Sequence, residues 1–193
     1  RAFNDYVNEA VEISKKMMKP VKMIWSREED MQHDYYRPSS VHVMKGAFDQ
    51  NDNLTTFKHR IVAPSILFTQ VVKIPFPFKE KADIIAVEGA KHLPYKIPNM
   101  QVDYQMTKTP IPLGWWRSVY NSQNAFATEC FMDELAEKSG KDPVQFRLGL
   151  LPKSSRDAGV IKMVAEKSGW NDFKNGTMYQ GISCHKSFGT WVA

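Results

Sequence analysis

The chain is 193 residues long, which suits one domain or part of a larger one, and its 42% hydrophobic and 24% charged residues are ordinary for a globular protein. The net charge of +5 is scattered among acids, as in Arg27-Glu28-Glu29-Asp30, so it describes solvated faces and argues against nucleic acid as a partner. Cys130 and Cys184 have no C-x-x-C spacing, so no zinc or iron–sulfur site can be read here, and no apolar run approaches the length of a membrane span.

Phe3, Val7, Ala10, Val11, Met17 and Met18 recur at helical spacing, which predicts an amphipathic helix over residues 3–18, acids early and lysines late, ended by Pro20. Val21 to Trp25 is a short apolar run of strand type. The chain opens on Arg1 inside a helical pattern and stops at Ala193 as though in mid-strand, so it reads as a segment of a longer polypeptide. Ser26 to Asp30 reads as a turn with a cap. Arg37 follows in M-Q-H-D-Y-Y-R-P, within reach of Asp34 or Asp30 for a surface ion pair. The five histidines are isolated along the chain and none reads as a metal ligand.

Alternation over Ser40–Phe48 and Leu54–Ile66, joined by Asp49-Gln50-Asn51-Asp52-Asn53, predicts a long antiparallel hairpin, in which asparagine such as Asn53 tolerates a left-handed backbone. Residues 64–82 mix Pro64, Pro75 and Pro77 with Phe68, Phe76 and Phe78, the pattern of an irregular connection that lines a pocket or meets another part of the protein. Asp83–Glu88 and Met100–Met106 read as further strands around K-H-L-P-Y-K-I-P-N.

Pro112 to Leu135 organises the rest. Pro110 and Pro112 keep the chain extended, Gly114 permits a backbone turn, and Trp115, Trp116 and Arg117 then lead into a helix. Asn121 or Ser122 is its expected cap, Phe126, Ala127, Cys130, Phe131 and Leu135 its expected apolar face, with Cys130 a small core residue, and Gly140 its stop. Such a loop either packs its tryptophans in the core or forms an anion- or cofactor-binding ledge at the helix start. Asp142 and Pro143 open another helix, Ser155 or Asp157 opens one that ends at Gly169, and Gly181–His185 reads as a strand. The fold class this predicts is α+β, with mixed or antiparallel strands and three to four amphipathic helices.

The run W-R-S-V-Y-N-S-Q-N-A-F-A-T-E resembles, without a gap, the F-R-G-F-G-x-P-Q-x-x-F-x-x-E segment of xanthine-oxidase-type molybdenum hydroxylases. Trp116, Arg117, Gln123, Phe126 and Glu129 fall on the motif's Phe, Arg, Gln, Phe and Glu, while its glycines fall on Ser118 and Tyr120 and its second aromatic on Val119. The G-W-W-R-S-V variant, with S-Q-N-A-F behind it, resembles still more the large subunits of isoquinoline 1-oxidoreductase and related bacterial aldehyde dehydrogenases. L-P-Y-K-I-P-N and D-E-L-A-E-K-S-G-K-D-P-V-Q-F-R-L resemble further family segments in the same order.

The resemblance implies a piece of the molybdopterin-binding region of a large subunit, with a glycine-rich loop expected upstream and the base glutamate downstream of residues 1–193. It implies cofactor-binding roles for Trp116, Arg117 and Gln123 and a substrate-binding role for Arg37. Glu129 is instead expected to be a buried structural carboxylate paired with an arginine. The implied cofactor is a molybdenum-pterin of the molybdopterin cytosine dinucleotide type, the implied substrate an aldehyde or N-heterocycle hydroxylated with oxygen from water, and the implied partners a small [2Fe-2S] subunit and the rest of the large subunit. These residues alone are expected to be inactive and free of molybdenum. The competing expectation is a non-catalytic protein-interaction domain.

Overall fold

The computed structural model describes residues 5–71, 83–172 and 179–193. In chain order these form α1 (Asp5–Met17), α2 (Arg27–His33), β1 (Val41–Phe48), β2 (Leu54–Pro64), a π-helical turn (Leu67–Val71), β3 (Asn99–Thr107), α3 (Asn121–Lys138), α4 (Pro143–Leu150), α5 (Arg156–Lys167), β4 (His185–Ser187) and β5 (Thr190–Val192). The fold is α+β, as its alternating and helical stretches predict.

The central sheet is mixed. β1 and β2 form the expected hairpin, with Val41 opposite Val62 and Phe48 opposite Leu54, and β3 adds in parallel to the other edge of β2. The Asp49 carboxylate accepts from the N–H groups of Asn51 and Asn53, at 2.8 and 2.9 Å, and holds the hairpin turn. The left-handed residue there is Asp52, at φ +56°, rather than Asn53.

Sheet and helices meet in one main core, where Leu54 and Phe57 of β2 pack with Met132, Leu135 and Ala136 of α3, Val144 and Phe146 of α4 and Ile161 of α5. α4 and α5 start as their sequences require: Asp142 accepts from the Gln145 N–H at 3.0 Å with Pro143 behind it, and Ser155 accepts from the Ala158 N–H at 3.1 Å. A smaller cluster of Ile66, Ala86, Leu113 and Tyr120 lies under the tryptophan–arginine loop and gives it a floor.

Several expectations fail for identifiable reasons. Val21–Trp25 forms no strand, no residue of α1 is buried, and Ile24 is 76% exposed, so that apolar run joins no sheet among the described residues. Asp83–Glu88 is a chain of turns, not a strand: buried Asp83 accepts from the Ile85 and Ala86 N–H groups and from the Ser65 hydroxyl, which curls the backbone. The helix face on α3 is rotated. Asn124, Thr128, Glu129, Met132, Leu135 and Ala136 point inward, whereas Phe126 is 73% exposed and Cys130 is also exposed. The Gly181–His185 strand starts later, at His185, and turns back through Phe188 and Gly189, both at positive φ. Phe76-Pro77-Phe78 and its prolines lie outside the described residues.

Candidate functional site

The loop after β3 is built against the segment after α2. Tyr36 N–H donates to the Pro112 carbonyl at 2.9 Å, and Gly114 N–H donates to the Tyr36 carbonyl at 3.0 Å, making a short parallel bridge between Tyr36 and Leu113. Gly114 lies in no turn and serves close approach instead: an added Cβ would sit 2.5 Å from the Tyr35 Cβ. The two tryptophans differ in burial. Trp115 packs on the loop's apolar floor, and Trp116 is 53% exposed with its indole N–H donating to the Tyr35 carbonyl at 2.7 Å.

The bend that follows is strained. Ser118 has φ +70° and Val119 has φ +50°, at and beside a position where the resembling motif has glycine. A left-handed non-glycine residue costs on the order of 1–3 kcal/mol, and a β-branched one is the worst case. Three features hold the bend. Val119 N–H donates to the Trp116 carbonyl at 2.8 Å, and Asn121 N–H to the Ser118 carbonyl at 2.9 Å. Tyr120 anchors the exit: its buried hydroxyl donates to the Pro64 carbonyl at 3.0 Å and accepts from the Ile66 N–H at 2.9 Å, and burial pushes its phenol pKa up. Tyr120 is also the N-cap of α3 without a side-chain cap bond, so neither Asn121 nor Ser122 fills that role.

Arg37 is the third feature. Its Nη2 donates to the Arg117 carbonyl at 3.0 Å, and its Nη1 donates to the Val119 carbonyl and, at 3.3 Å, to Gln123 Oε1. Arg37, Arg117 and Gln123 are thus brought together, while the Arg117 side chain is exposed. Gln123 Nε2 is buried without a hydrogen-bond partner among the described residues. A permanent cation and an unsatisfied amide donor are suited to an anionic, oxygen-rich group, with the exposed indole offering only its ring face, since its N–H is engaged by Tyr35.

Glu129 is the structural carboxylate expected of it. Its Oε2 accepts from Arg147 Nε at 3.0 Å and from the Cys184 N–H at 2.9 Å, and its Oε1 accepts from the Tyr95 hydroxyl at 2.9 Å. Arg147 is fully buried and also donates to Asp133 at 2.6 Å and to the Glu129 carbonyl at 2.9 Å. Burial lifts the Glu129 pKa above its ordinary value, against the pull of Arg147.

Sequence reasoning missed two features. His42 Nδ1 and His59 Nε2 lie 2.7 Å apart across the hairpin, so these histidines are not isolated; no described group of three or more metal-ligating side chains surrounds them. A cleft of about 540 Å³ opens between the turns before Pro94 and the β4–β5 hairpin. At its edge Asn121 donates to Glu88 at 3.4 Å, and its Oδ1 lies 3.1 Å from His185 Nε2. Three segments distant in sequence make this cleft, and no local pattern announces it.

Residues 8–149 match the molybdopterin cofactor-binding domain family, and the chain belongs to it. The membrane-bound aldehyde dehydrogenase [pyrroloquinoline-quinone] of Gluconacetobacter polyoxogenes is 30% identical over 88% of this chain and 24% of its own length. Isoquinoline 1-oxidoreductase subunit beta of Brevundimonas diminuta is 28% identical over 84% of this chain and 21% of its own length. Among solved structures, quinoline 2-oxidoreductase from Pseudomonas putida 86 matches 82% of this chain and 22% of its own, at a TM-score of 0.59 and 16% identity, which speaks to fold alone. The chain spans a quarter or less of the length of these relatives. No helix among the described residues is long and apolar enough to cross a membrane.

Proposed function

We propose that this chain forms one wall of the molybdenum-pterin pocket of a hydroxylase acting on an aldehyde or N-heterocycle, with water as the oxygen source. The observation that supports the reading is that Arg37 ties the Arg117 carbonyl to the Gln123 amide oxygen, with the Arg117 side chain exposed and Gln123 Nε2 left without a partner among the described residues. In this reading Arg117 neutralises the anionic cofactor, Gln123 Nε2 donates to one of its oxygen atoms, and Trp116 covers it with an aromatic face. The cofactor, in the cytosine dinucleotide form, supplies the two-electron oxidising centre. Arg37, expected from the resemblance to bind substrate, holds the loop instead in this reading, since three of its five N–H donors are engaged by the loop and Gln123. The uncovered apolar residues of α1, Val7, Val11 and Met17, fit burial by the rest of the large subunit, and electrons leave through a small [2Fe-2S] partner.

Arg117→Ala in the full-length protein tests the reading. It is expected to lower molybdenum content and turnover together, because it removes a fixed positive charge at the pocket. Normal metal content with normal turnover overturns the assignment. A bound quinone in place of pterin, in keeping with the name of the Gluconacetobacter relative, overturns the cofactor.

A further inference from the structure

The Ser118–Val119 bend is an unfavourable conformation that something must hold, and the two carbonyls flanking it converge on one guanidinium. Arg37 lies some 80 residues earlier in the chain, at 3.0 Å from the Arg117 carbonyl and bonded also to that of Val119. The same Nη1 takes Gln123 Oε1 at 3.3 Å, and this sets which end of the amide faces away. Gln123 Nε2 is therefore left as the unpartnered donor. A planar fork can satisfy two carbonyls and an amide oxygen at once; an ammonium on a flexible stem holds no such geometry.

We propose that Arg37 is the positioning residue of the Arg117 loop: it clamps the left-handed Ser118–Val119 bend and orients the Gln123 amide, and makes no contact with substrate. The clamp stands on the hydrogen bonds alone; its consequence for cofactor retention rests on the functional reading above. Glycine adopts φ near these values without strain, so Ser118→Gly with Val119→Gly removes the need for the clamp at the bend. Arg37 and the bend must then be energetically coupled.

The test is a set of variants of the full-length protein: Arg37→Ala and Arg37→Lys, each with and without the glycine pair. Tryptic cleavage after the exposed Arg117 reports local opening of the loop, and a urea midpoint on the same samples reports global stability. Arg37→Ala should speed that cleavage about tenfold, the equivalent of one charge-assisted hydrogen bond, with little change in the urea midpoint. Arg37→Lys should behave nearly as alanine does. In the glycine background, removing Arg37 should change cleavage by no more than about twofold, since the bend no longer needs holding. Equal effects in both backgrounds, or full rescue by lysine, overturn the clamp. So does a variant with normal cleavage and normal pterin content whose only defect is a raised KM, because that marks a substrate contact. Absence of molybdenum from the unmutated protein ends the functional reading but leaves the cleavage comparison to decide the clamp.

Discussion

Arg147→Met should be among the most damaging single changes in the protein. The Arg147 side chain is fully buried and its partner Glu129 is 7% exposed, so the variant leaves a carboxylate in the core facing only the Tyr95 hydroxyl and the Cys184 N–H. Breaking one side of a buried ion pair typically costs about 3–5 kcal/mol, against about 5–15 kcal/mol for a whole domain. The Asp133 contact adds little, since that carboxylate is 42% exposed and water can replace the lost partner. Loss of Arg147 removes the main force that lowers the Glu129 pKa, which burial already holds above 4.5. The folded variant then keeps a proton that the unfolded chain releases, so its stability falls as pH rises above that ordinary value. Urea unfolding at pH ~5 and pH ~8 should therefore show the larger deficit at the higher pH. Adding Glu129→Gln should recover most of the loss, because the amide is neutral and keeps an acceptor oxygen. A loss below about 1 kcal/mol with no pH dependence would refute the reasoning.

Met132→Ala should cost about 2–5 kcal/mol in a denaturant melt, whereas Phe126→Ala, at an exposed site, should stay within about 0.5 kcal/mol; a reversed order would put the wrong face of α3 inward. Burial and neighbouring His42 hold the His59 pKa down from 6.5 to about 4, so the unfolded chain binds the proton first as pH falls. Stability should therefore decline by about 1.4 kcal/mol per pH unit between those values, and His59→Gln should flatten that slope; an unchanged slope contradicts it. Gly114→Ala should separate the loop from the segment at Tyr35 and Tyr36, read as faster tryptic cleavage after Arg117, while unaltered cleavage would show that the close approach is dispensable.

Local rules made much of the fold legible. The hairpin, the Asp142 and Ser155 caps and the Gly140 stop each depend on residues a few positions apart, and all are present. What failed depended on distant partners. Val21–Trp25 looked like a strand because its residues are apolar, but no strand among the described residues pairs with it. The inward face of α3 carries Asn124, Thr128 and Glu129, which hydrophobic periodicity discounts; α4, Tyr95 and Cys184 satisfy Glu129, and Asn124 donates to the Ala86 and Glu88 carbonyls. At the loop, Trp116, Arg117 and Gln123 were legible as a motif. The bond from Arg37 to the Val119 carbonyl spans 82 positions and was not.

The most direct test of the account is metal and pterin analysis of the full-length protein beside its Arg117→Ala variant. The account predicts molybdenum and a pterin dinucleotide together in the unmutated protein, and a parallel loss of both in the variant. An unmutated protein with neither, or a variant that retains both at the same level, would contradict the claim that this loop holds the cofactor.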